Sequence, residues 1–295
     1  MGAVSLSAVC YLTLAGEREQ DFLLYVDALV DSLSAFWRDP EPLPLVFVCP
    51  AHELGFFQRS IAPVPRLAFR YQSEEQLSAS LAADRHLVPD RRDMAARLLY
   101  AASCADDFCL TLEPGVFCVR PIGRDALLPH GRARTEWEAR SKHPDWWRAS
   151  ARLLDRDDPG RNAGLGVCPA LLAKVLAARA LDAVAKASGQ DAVKALAAAT
   201  VGTKELWSDN TLYALANALP ALLAWHWDRD AHPGDRPNRL HSDANIWIRE
   251  DLHGWDPESW RMVAAHGEFV IVNRRAGVVP DQVLPTLYRM LDLGA

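Results

Sequence analysis

Short apolar runs alternate with helix-like patterns along the first 120 residues of the chain. Runs of β-forming residues predict strands at Ser5–Leu14, Leu45–Cys49, Arg66–Tyr71, Phe108–Leu112 and Val116–Val119. Apolar residues at helical spacing predict helices at Asp21–Trp37 and Arg91–Cys104. This alternation indicates an α/β fold with a largely parallel sheet, in which ligands bind beyond the carboxyl ends of the strands.

The second half of the chain is richer in helical patterns. Helices are predicted at His143–Leu154, Pro169–Ala187, Asp191–Ala199, from Ser208 to about Trp225, and at Val283–Leu291. We expect the hydroxyl of Ser208 to cap its helix by accepting a hydrogen bond from a first-turn N–H. A polar loop is predicted from Asp228 to Asn245, with late strands at Ile246–Ile248 and Phe269–Val272.

The composition is that of a soluble globular protein. Of 295 residues, 50% are hydrophobic and 24% are charged, and this length suits one domain with an appended lobe. The net charge of −6 argues against a nucleic-acid partner. No stretch approaches the roughly 20 apolar residues of a membrane span, and the N-terminus is unlike a signal peptide, so we expect a cytoplasmic protein.

The six cysteines are expected to be reduced and buried. None forms a C-x-x-C pair, and Cys10, Cys49, Cys109 and Cys118 lie inside apolar runs. Cysteines in such surroundings act as small hydrophobic residues rather than as a disulfide or zinc framework.

Several familiar catalytic signatures are missing from the sequence. It contains no glycine-rich phosphate loop, no G-x-S-x-G and no H-E-x-x-H, which excludes most dehydrogenases, P-loop enzymes, serine hydrolases of the common fold and zinc proteases. The informative segment is residues 109–121, where a predicted strand runs into Glu113. An acid at the ligand edge of a sheet could hold a divalent metal or a ribose hydroxyl. Alternatively, Pro114 and Gly115 only form a turn and Glu113 is solvated.

Four segments of the chain match known motifs in the right order. Leu112–Pro121 matches a Leu-Asp-x-Asp-x-Val-Phe-x-Arg-Pro-like segment, and the other three are His143–Trp147 with Ser150, Gly166–Leu172, and Leu206–Tyr213. Together they resemble the nucleotide-diphospho-sugar transferases of the GT-A type, and more narrowly an uncharacterised bacterial branch of glycosyltransferase-like proteins. The resemblance covers roughly residues 90–215.

The resemblance implies one GT-A-like domain over residues 1–295. Its fold would be α/β, with a mixed, mostly parallel sheet flanked by helices and a helical acceptor lobe from about residue 130 to 226. Residues 1–125 would bind the nucleotide-sugar, and residues 126–295 would form the acceptor side. The implied activity is transfer of a sugar from a nucleotide-diphosphate donor to a carbohydrate or glycoconjugate acceptor, with a cell-surface polysaccharide as a natural product.

The chain departs from the D-x-D motif of the GT-A enzymes, because the two acids correspond to Glu113 and Gly115. In those enzymes the motif holds the metal that neutralises the leaving diphosphate. One carboxylate is a poor site for Mn²⁺ or Mg²⁺, which bind several oxygen ligands. Either basic residues bind the diphosphate without a metal, or catalysis has been lost.

The donor and metal residues follow from the same resemblance. Beside Glu113 and Gly115, the candidate partners of the diphosphate are Arg91, Arg92, Arg97 and Lys204. Arginine suits a bidentate grip on phosphate, although exposed charges are commonly only solvated. A late histidine can complete the metal site of GT-A enzymes, which makes His241 a candidate ligand beside Glu113; alternatively it is a solvent-exposed loop residue.

The acceptor side has two kinds of candidate. Asp209 is the candidate general base that deprotonates an acceptor hydroxyl, but an acid in the first turn of a helix also stabilises the helix dipole without catalysis. Trp146, Trp147 and Trp207 lie within the matched motifs and could stack on sugar rings. Core packing is the alternative for each of them.

Three functions therefore remain open. The protein is a glycosyltransferase, a catalytically degenerate module that binds sugar or nucleotide, or an interaction protein whose helical lobe docks a partner. Turnover of a bound sugar-nucleotide separates the first two. The third predicts no nucleotide binding and a large exposed apolar patch around the alanine-rich helices.

Overall fold

The computed structural model describes residues 4–157, 163–201, 206–227, 240–257 and 267–292. The strands are β1 (Leu6–Tyr11), β2 (Leu43–Cys49), β3 (Leu67–Ser73), β4 (Phe108–Leu112), β5 (Val116–Cys118), β6 (Trp137–Ala139), β7 (Ala163–Leu165), β8 (Ala170–Ala173) and β9 (Phe269–Ile271). The helices are α1 (Glu19–Phe36), α2 (Ala51–Ser60), α3 (Glu74–Leu77), α4 (Ala79–Ala83), α5 (Pro89–Ser103), α6 (Arg124–Leu127), α7 (Pro144–Leu153), α8 (Lys174–Ser188), α9 (Ala192–Ala198), α10 (Asp209–Ala216), α11 (Leu219–Trp225) and α12 (Pro280–Asp292). Short 3₁₀ turns lie at Pro129–Gly131, Arg140–Lys142, Arg249–Leu252 and Arg274–Ala276.

Five strands form the central sheet in the order β3-β2-β1-β4-β8. Strands β1 to β4 are parallel, and β8 runs antiparallel to β4. Nearly every residue of β1, β2 and β4 is buried, as expected for strands covered on both faces of a sheet. The predicted α/β fold, with a mostly parallel sheet flanked by helices, is confirmed.

The strand register brings two chain segments together at one edge of the sheet. Cys10 of β1 is paired with Leu112 of β4, so the residues that follow both strands emerge side by side. Helix α5 packs on β1 and β4, and α8 packs on α5. The carboxyl edge of the sheet is thus bordered by the start of α5 and by the turn after β4.

The first helix shows why the sequence pattern predicts this half well. In α1 the apolar residues Phe22, Val26, Leu29 and Leu33 recur at helical spacing, and all four are buried against the core. A smaller core lies nearby, where β9 pairs with β5 and α12 packs on α1.

The segment 169–187 is not one helix as predicted. Ala170–Ala173 forms β8, and the helix begins only at Lys174. Pairing with β4 decides the difference: the Thr111 hydroxyl accepts the N–H of Ala170 at 3.2 Å and donates to its carbonyl at 3.0 Å. An alanine-rich run has no β-branched pattern, so only the neighbouring strand selects the extended form.

The helix predicted from Ser208 to Trp225 is also wrong in part, because the chain breaks into α10 and α11. Asn217 is extended, and its side-chain Nδ2 donates to the carbonyls of Tyr213 and Leu176. Pro220 in the first turn of α11 lacks the N–H that a continuous helix needs. The Ser208 hydroxyl does not cap the helix; it lies 3.4 Å from the Asp209 carboxylate.

The remaining predicted features of the chain compare with the structure as follows. Of the strand predicted at Ile246–Ile248, only Ile246 is paired, in an isolated bridge with Val272. The loop predicted from Asp228 to Asn245 lies outside the described residues up to residue 239. All six cysteines are buried free thiols, as predicted. Within the described ranges, no helix combines the length and apolar character needed to cross a bilayer.

Candidate functional site

A cavity of about 660 Å³ opens beyond the carboxyl end of β4. Three elements that are distant in sequence form its polar wall. Helix α5 contributes Arg91 and Arg97, the turn after β4 contributes Glu113, and the start of α10 contributes Asp209 and Asn210. The cavity lies where the sequence pattern places the ligand edge of the sheet.

Arg97 connects the three elements of this wall. Its side chain is 2% exposed, and its Nε lies 3.2 Å from Asp209 Oδ2. Its Nη1 lies 2.8 Å from Asp93 Oδ2 and 3.5 Å from Glu113 Oε2. The guanidinium thus contacts three carboxylates, which leaves the cluster with an excess of negative charge.

The excess of negative charge contributes to a raised pKa at Asp93. Burial raises the pKa of Asp93 to about 7, the Arg97 guanidinium opposes that rise, and the carboxylates of Glu113 and Asp209 add to it. One oxygen of Asp93 is buried without a hydrogen-bond partner. The Asp93 carboxyl can therefore take up a proton near neutral pH.

Asp209 is the first residue of α10 and is 1% exposed. Its Oδ2 faces Arg97, and its Oδ1 accepts the N–H of Asn210 at 3.0 Å. The carboxylate therefore stabilises the helix start and lines the cavity at the same time. Both interpretations of this residue from the sequence fit its surroundings.

Arg91 differs from the other cations of the cavity. Its side chain is buried, Nη1 lies 2.7 Å from the Met94 sulfur, and the guanidinium lies over the Trp146 and Trp207 rings, 6.0 Å from each centroid. In the part of the chain that the structure describes, its Nε has no hydrogen-bond partner and no carboxylate lies within ion-pair distance. Burial lowers the pKa of Arg91, whereas Asp90 and Asp209 raise it.

An accessible aromatic wall faces the same cavity. Trp146 is half-buried and stacks on His143, with ring centroids 3.9 Å apart and planes at 11°. Burial lowers the pKa of His143. Trp247, which is 40% exposed, also lines the cavity. Indole rings of this kind present an apolar face and an N–H to a ligand.

A second cavity of about 370 Å³ lies beyond the carboxyl end of β1. Tyr11, Glu17 and Arg274 contribute to its wall, and the Tyr11 hydroxyl donates to Glu74 at 2.7 Å. Asp90 and Arg275 line both cavities and form an ion pair with each other. The two cavities are therefore adjacent, with this pair between them.

Five of the predicted site residues line the larger cavity: Arg91, Arg97, Glu113, Trp146 and Asp209. Other predicted site residues lie elsewhere. Arg92 binds Glu74 at 3.1 Å and two carbonyl oxygens, so its charge serves the fold. Trp147 and Trp207 are buried, as the core interpretation has it, and Trp207 Nε1 donates to the Leu196 carbonyl. Lys204 lies outside the described residues.

His241 is not the solvent-exposed loop residue that was the alternative to a metal ligand. It is 3% exposed, and its Nε2 lies 3.1 Å from the Pro169 carbonyl oxygen. It does not line the cavity that contains Glu113.

The residues of the cavity that the sequence analysis missed include His143 as a wall residue, Asn210, Trp247 and Arg275. His143 and Asn210 stand inside matched motifs and could have been singled out there. Trp247 and Arg275 come from the chain end and follow no recognised spacing.

The second position of the D-x-D motif is closed to an acid by the backbone. Gly115 has φ +104°, and a Cβ there would lie 2.5 Å from the Val272 carbonyl oxygen. The same glycine accepts the Val272 N–H at 2.7 Å, which fixes it against the end of β9. Among the described residues, no group of three or more His, Cys, Asp or Glu is arranged to hold a metal ion. The residues present do not fit the metal site of that motif.

No curated protein matches the chain in sequence. Among solved structures it is similar to mouse xyloside xylosyltransferase 1 in its apo form, with a TM-score of 0.41, 11% identity, and coverage of 71% of this chain and 80% of that one. It is also similar to core-mannan synthase A from Aspergillus fumigatus in an Mn/GDP form (TM-score 0.40, 13% identity, coverage 77% and 73%). A third similar structure is the mannosyltransferase Ktr4p of S. cerevisiae (TM-score 0.40, 9% identity, coverage 72% and 65%).

One protein family matches nearly the whole chain. Residues 3–294 match the family described as "Family of unknown function (DUF6492)". The protein belongs to this family.

Proposed function

We propose that the protein transfers a sugar from a nucleotide-diphosphate donor to a hydroxyl group of a carbohydrate or glycoconjugate acceptor. The observation that carries the proposal is the cavity at the carboxyl end of β4, which combines a buried carboxylate, an accessible indole ring and a buried guanidinium that pairs with no carboxylate of the described residues. An anionic leaving group, an acceptor hydroxyl and a sugar ring need these three kinds of group.

The donor would lie along the sheet edge. The smaller cavity beyond β1 suits the nucleoside, since acidic and hydroxyl side chains there can bind ribose hydroxyls. The diphosphate would follow toward the turn at Glu113, and the sugar would enter the larger cavity.

Asp209 is proposed as the general base. It would take the proton of the acceptor hydroxyl while that oxygen forms a bond to the anomeric carbon of the donor. The bond between that carbon and the diphosphate breaks, and its electron pair leaves with the nucleoside diphosphate. The contact with Arg97 fixes the orientation of the carboxylate, and Trp146 offers its indole ring to the acceptor sugar.

The first experiment is a thermal-shift panel of UDP-, GDP-, CMP- and dTDP-sugars, each with Mn²⁺, Mg²⁺ or EDTA. A ligand that binds the folded state raises its melting temperature, so we expect a rise with one nucleotide class. Asp209→Asn should keep that rise and lose at least 100-fold in transfer rate, the usual range for a general base. Absence of a shift with every donor would contradict the proposal.

A binding module without turnover is the second candidate. The conformation of Gly115 favours it, because the backbone there excludes the second acid of the motif. In that case the matching donor would raise the melting temperature but would show neither transfer nor hydrolysis over long incubation.

A further inference from the structure

The two cavities meet at one ion pair. Asp90 stands in the first turn of α5, and Arg275 stands in the 3₁₀ turn at Arg274–Ala276. Their side chains are 38% and 51% exposed. Exposed ion pairs contribute little to stability, so Arg275 can exchange Asp90 for another anion at small cost.

The other charges of the larger cavity are engaged. Lys142 pairs with Glu138 at 3.1 Å, and Arg97 contacts three carboxylates. Among the described residues that line this cavity, Arg91 is the one arginine or lysine without a carboxylate within ion-pair distance; its guanidinium lies over the Trp146 and Trp207 rings instead. A buried guanidinium with unused donors favours an anionic ligand.

Arg91 and Arg275 lie within electrostatic reach of each other. The positive charge of Arg275 contributes to lowering the pKa of Arg91, after the larger effect of burial. Arg91 is buried in the wall, whereas among the described residues the Arg275 side chain pairs with Asp90 alone. One anion with charge spread over several oxygens could therefore contact both guanidinium groups.

We propose that Arg91 and Arg275 together bind the diphosphate of the sugar-nucleotide, and that Arg275 leaves Asp90 to do so. The inference rests on the proposed function and names the part of the site that holds the leaving group. The nucleoside then occupies the cavity beyond β1, and the sugar occupies the larger cavity. The backbone at Gly115 leaves no room for a second metal-binding acid. The two guanidinium groups therefore supply the positive charge that a bound metal ion would otherwise provide.

The test measures affinity for UDP, GDP, CDP and dTDP by titration calorimetry in EDTA, with the tightest of them used for all variants. Arg91→Met and Arg275→Gln should each weaken binding at least 10-fold. Asp90→Asn should bind at least as tightly as the unmodified protein, because it removes the competing carboxylate. Arg85→Gln is the matched control, since Arg85 is exposed and does not line either cavity; its affinity should change less than twofold.

Two further measurements guard against loss of the fold at the buried position. Arg91→Lys keeps the charge but not the bidentate geometry, and we expect affinity between those of the unmodified protein and Arg91→Met. For Arg91→Met and Arg91→Lys, affinity for the nucleoside monophosphate should fall less than affinity for the diphosphate. A misfolded site would lose affinity for both nucleotides alike.

The outcomes separate this inference from the proposed function. Diphosphate binding that survives both arginine substitutions, or that EDTA abolishes in the unmodified protein, would overturn the inference alone. A protein that binds none of the four diphosphates, either in EDTA or with added Mn²⁺ or Mg²⁺, would overturn both.

Discussion

Arg97 illustrates how one buried side chain can organise a site. It contacts carboxylates from its own helix, from the turn after β4 and from α10, and its side chain is 2% exposed. A buried charge is tolerated when it is paired and hydrogen-bonded, and its removal leaves the partners buried and uncompensated. The guanidinium is thus needed to hold Asp93, Glu113 and Asp209 in one place.

Replacement of Arg97 by methionine should therefore destabilise the protein strongly. We expect a loss of about 3–5 kcal/mol in the free energy of unfolding near neutral pH, measured by urea denaturation. Arg97 opposes the rise of the Asp93 pKa, so its removal should raise that pKa further, and lowering the pH should restore part of the loss by protonating Asp93. A variant as stable as the unmodified protein at pH 7 would show that the contacts are not needed for the fold.

Gly115 shows a backbone requirement at a motif position. Its φ of +104° is reached easily only by glycine, and a Cβ would collide with the Val272 carbonyl oxygen. Gly189, at the end of α8, also has a positive φ (+66°), but a Cβ there meets nothing within 4 Å. The two glycines therefore differ in steric room.

Substitution of Gly115 and of Gly189 by alanine distinguishes the cost of backbone strain from the cost of a steric collision. Gly189→Ala should cost about 1–2 kcal/mol, the price of a left-handed conformation for a residue with Cβ. Gly115→Ala should cost at least twice as much as Gly189→Ala, because the end of β9 must also move. Urea denaturation of both variants measures the difference, and equal losses would contradict the steric argument.

At the scale of elements, a buried hydrogen-bond chain joins the sheet to the helical lobe. The Tyr213 hydroxyl accepts the N–H of Ala173 at 3.0 Å and lies 2.7 Å from His226 Nε2. His226 Nδ1 lies 2.9 Å from the hydroxyl of Thr135, which donates to the Ala133 carbonyl. Every polar group of this hydrogen-bond chain has a partner when the Tyr213 hydroxyl donates to His226 Nε2 and the Nδ1–H of His226 donates to Thr135. This arrangement requires a neutral imidazole.

Acid should break this chain. Burial lowers the pKa of His226 from 6.5 to about 3, so the unfolded state binds a proton that the folded state does not over this interval. The free energy of unfolding contributed by His226 is therefore complete above pH 6.5 and falls as the pH drops, by up to about 1.4 kcal/mol per pH unit. Urea denaturation at several pH values should show the stability advantage over His226→Gln shrinking between pH 6.5 and 3. A constant difference would contradict the prediction.

The sequence predicts elements well where a local pattern decides them. The buried face of α1 and the runs of β1, β2 and β4 can be located from spacing alone. Strand β8 could not be predicted, because Ala170–Ala173 becomes extended only through its pairing with β4. The break between α10 and α11 depends on Asn217, whose side chain reaches a carbonyl in α8.

The candidate site could be predicted only in part, for a geometric reason. Adjacent residues on a helix point about 100° apart, so Arg91 and Arg92 cannot both face the cavity, and the sequence does not tell which one does. The structure shows that Arg91 does and that Arg92 binds Glu74. Trp247 and Arg275 reach the site from the end of the chain, at a distance in sequence where no spacing rule applies.

At the scale of the whole molecule, the halves 1–125 and 126–295 share their structure. The second half provides β8 to the main sheet and β9 as the partner of β5. It also provides Asp209, which faces the buried Arg97 of the first half. The central sheet, the β5–β9 pair and the contact between Arg97 and Asp209 therefore each need residues from both halves.

The two halves should therefore unfold as one cooperative unit. Nine of the ten tryptophans lie at or beyond Trp137, so tryptophan fluorescence reports mainly on the second half, whereas far-UV circular dichroism reports on both. We expect the two signals to give the same midpoint in urea. A fragment of residues 1–125 should show no cooperative transition, because its β4 edge would lose β8 and Arg97 would lose Asp209. Separate midpoints, or a folded fragment, would show instead that residues 1–125 form an independent domain against which residues 126–295 only pack.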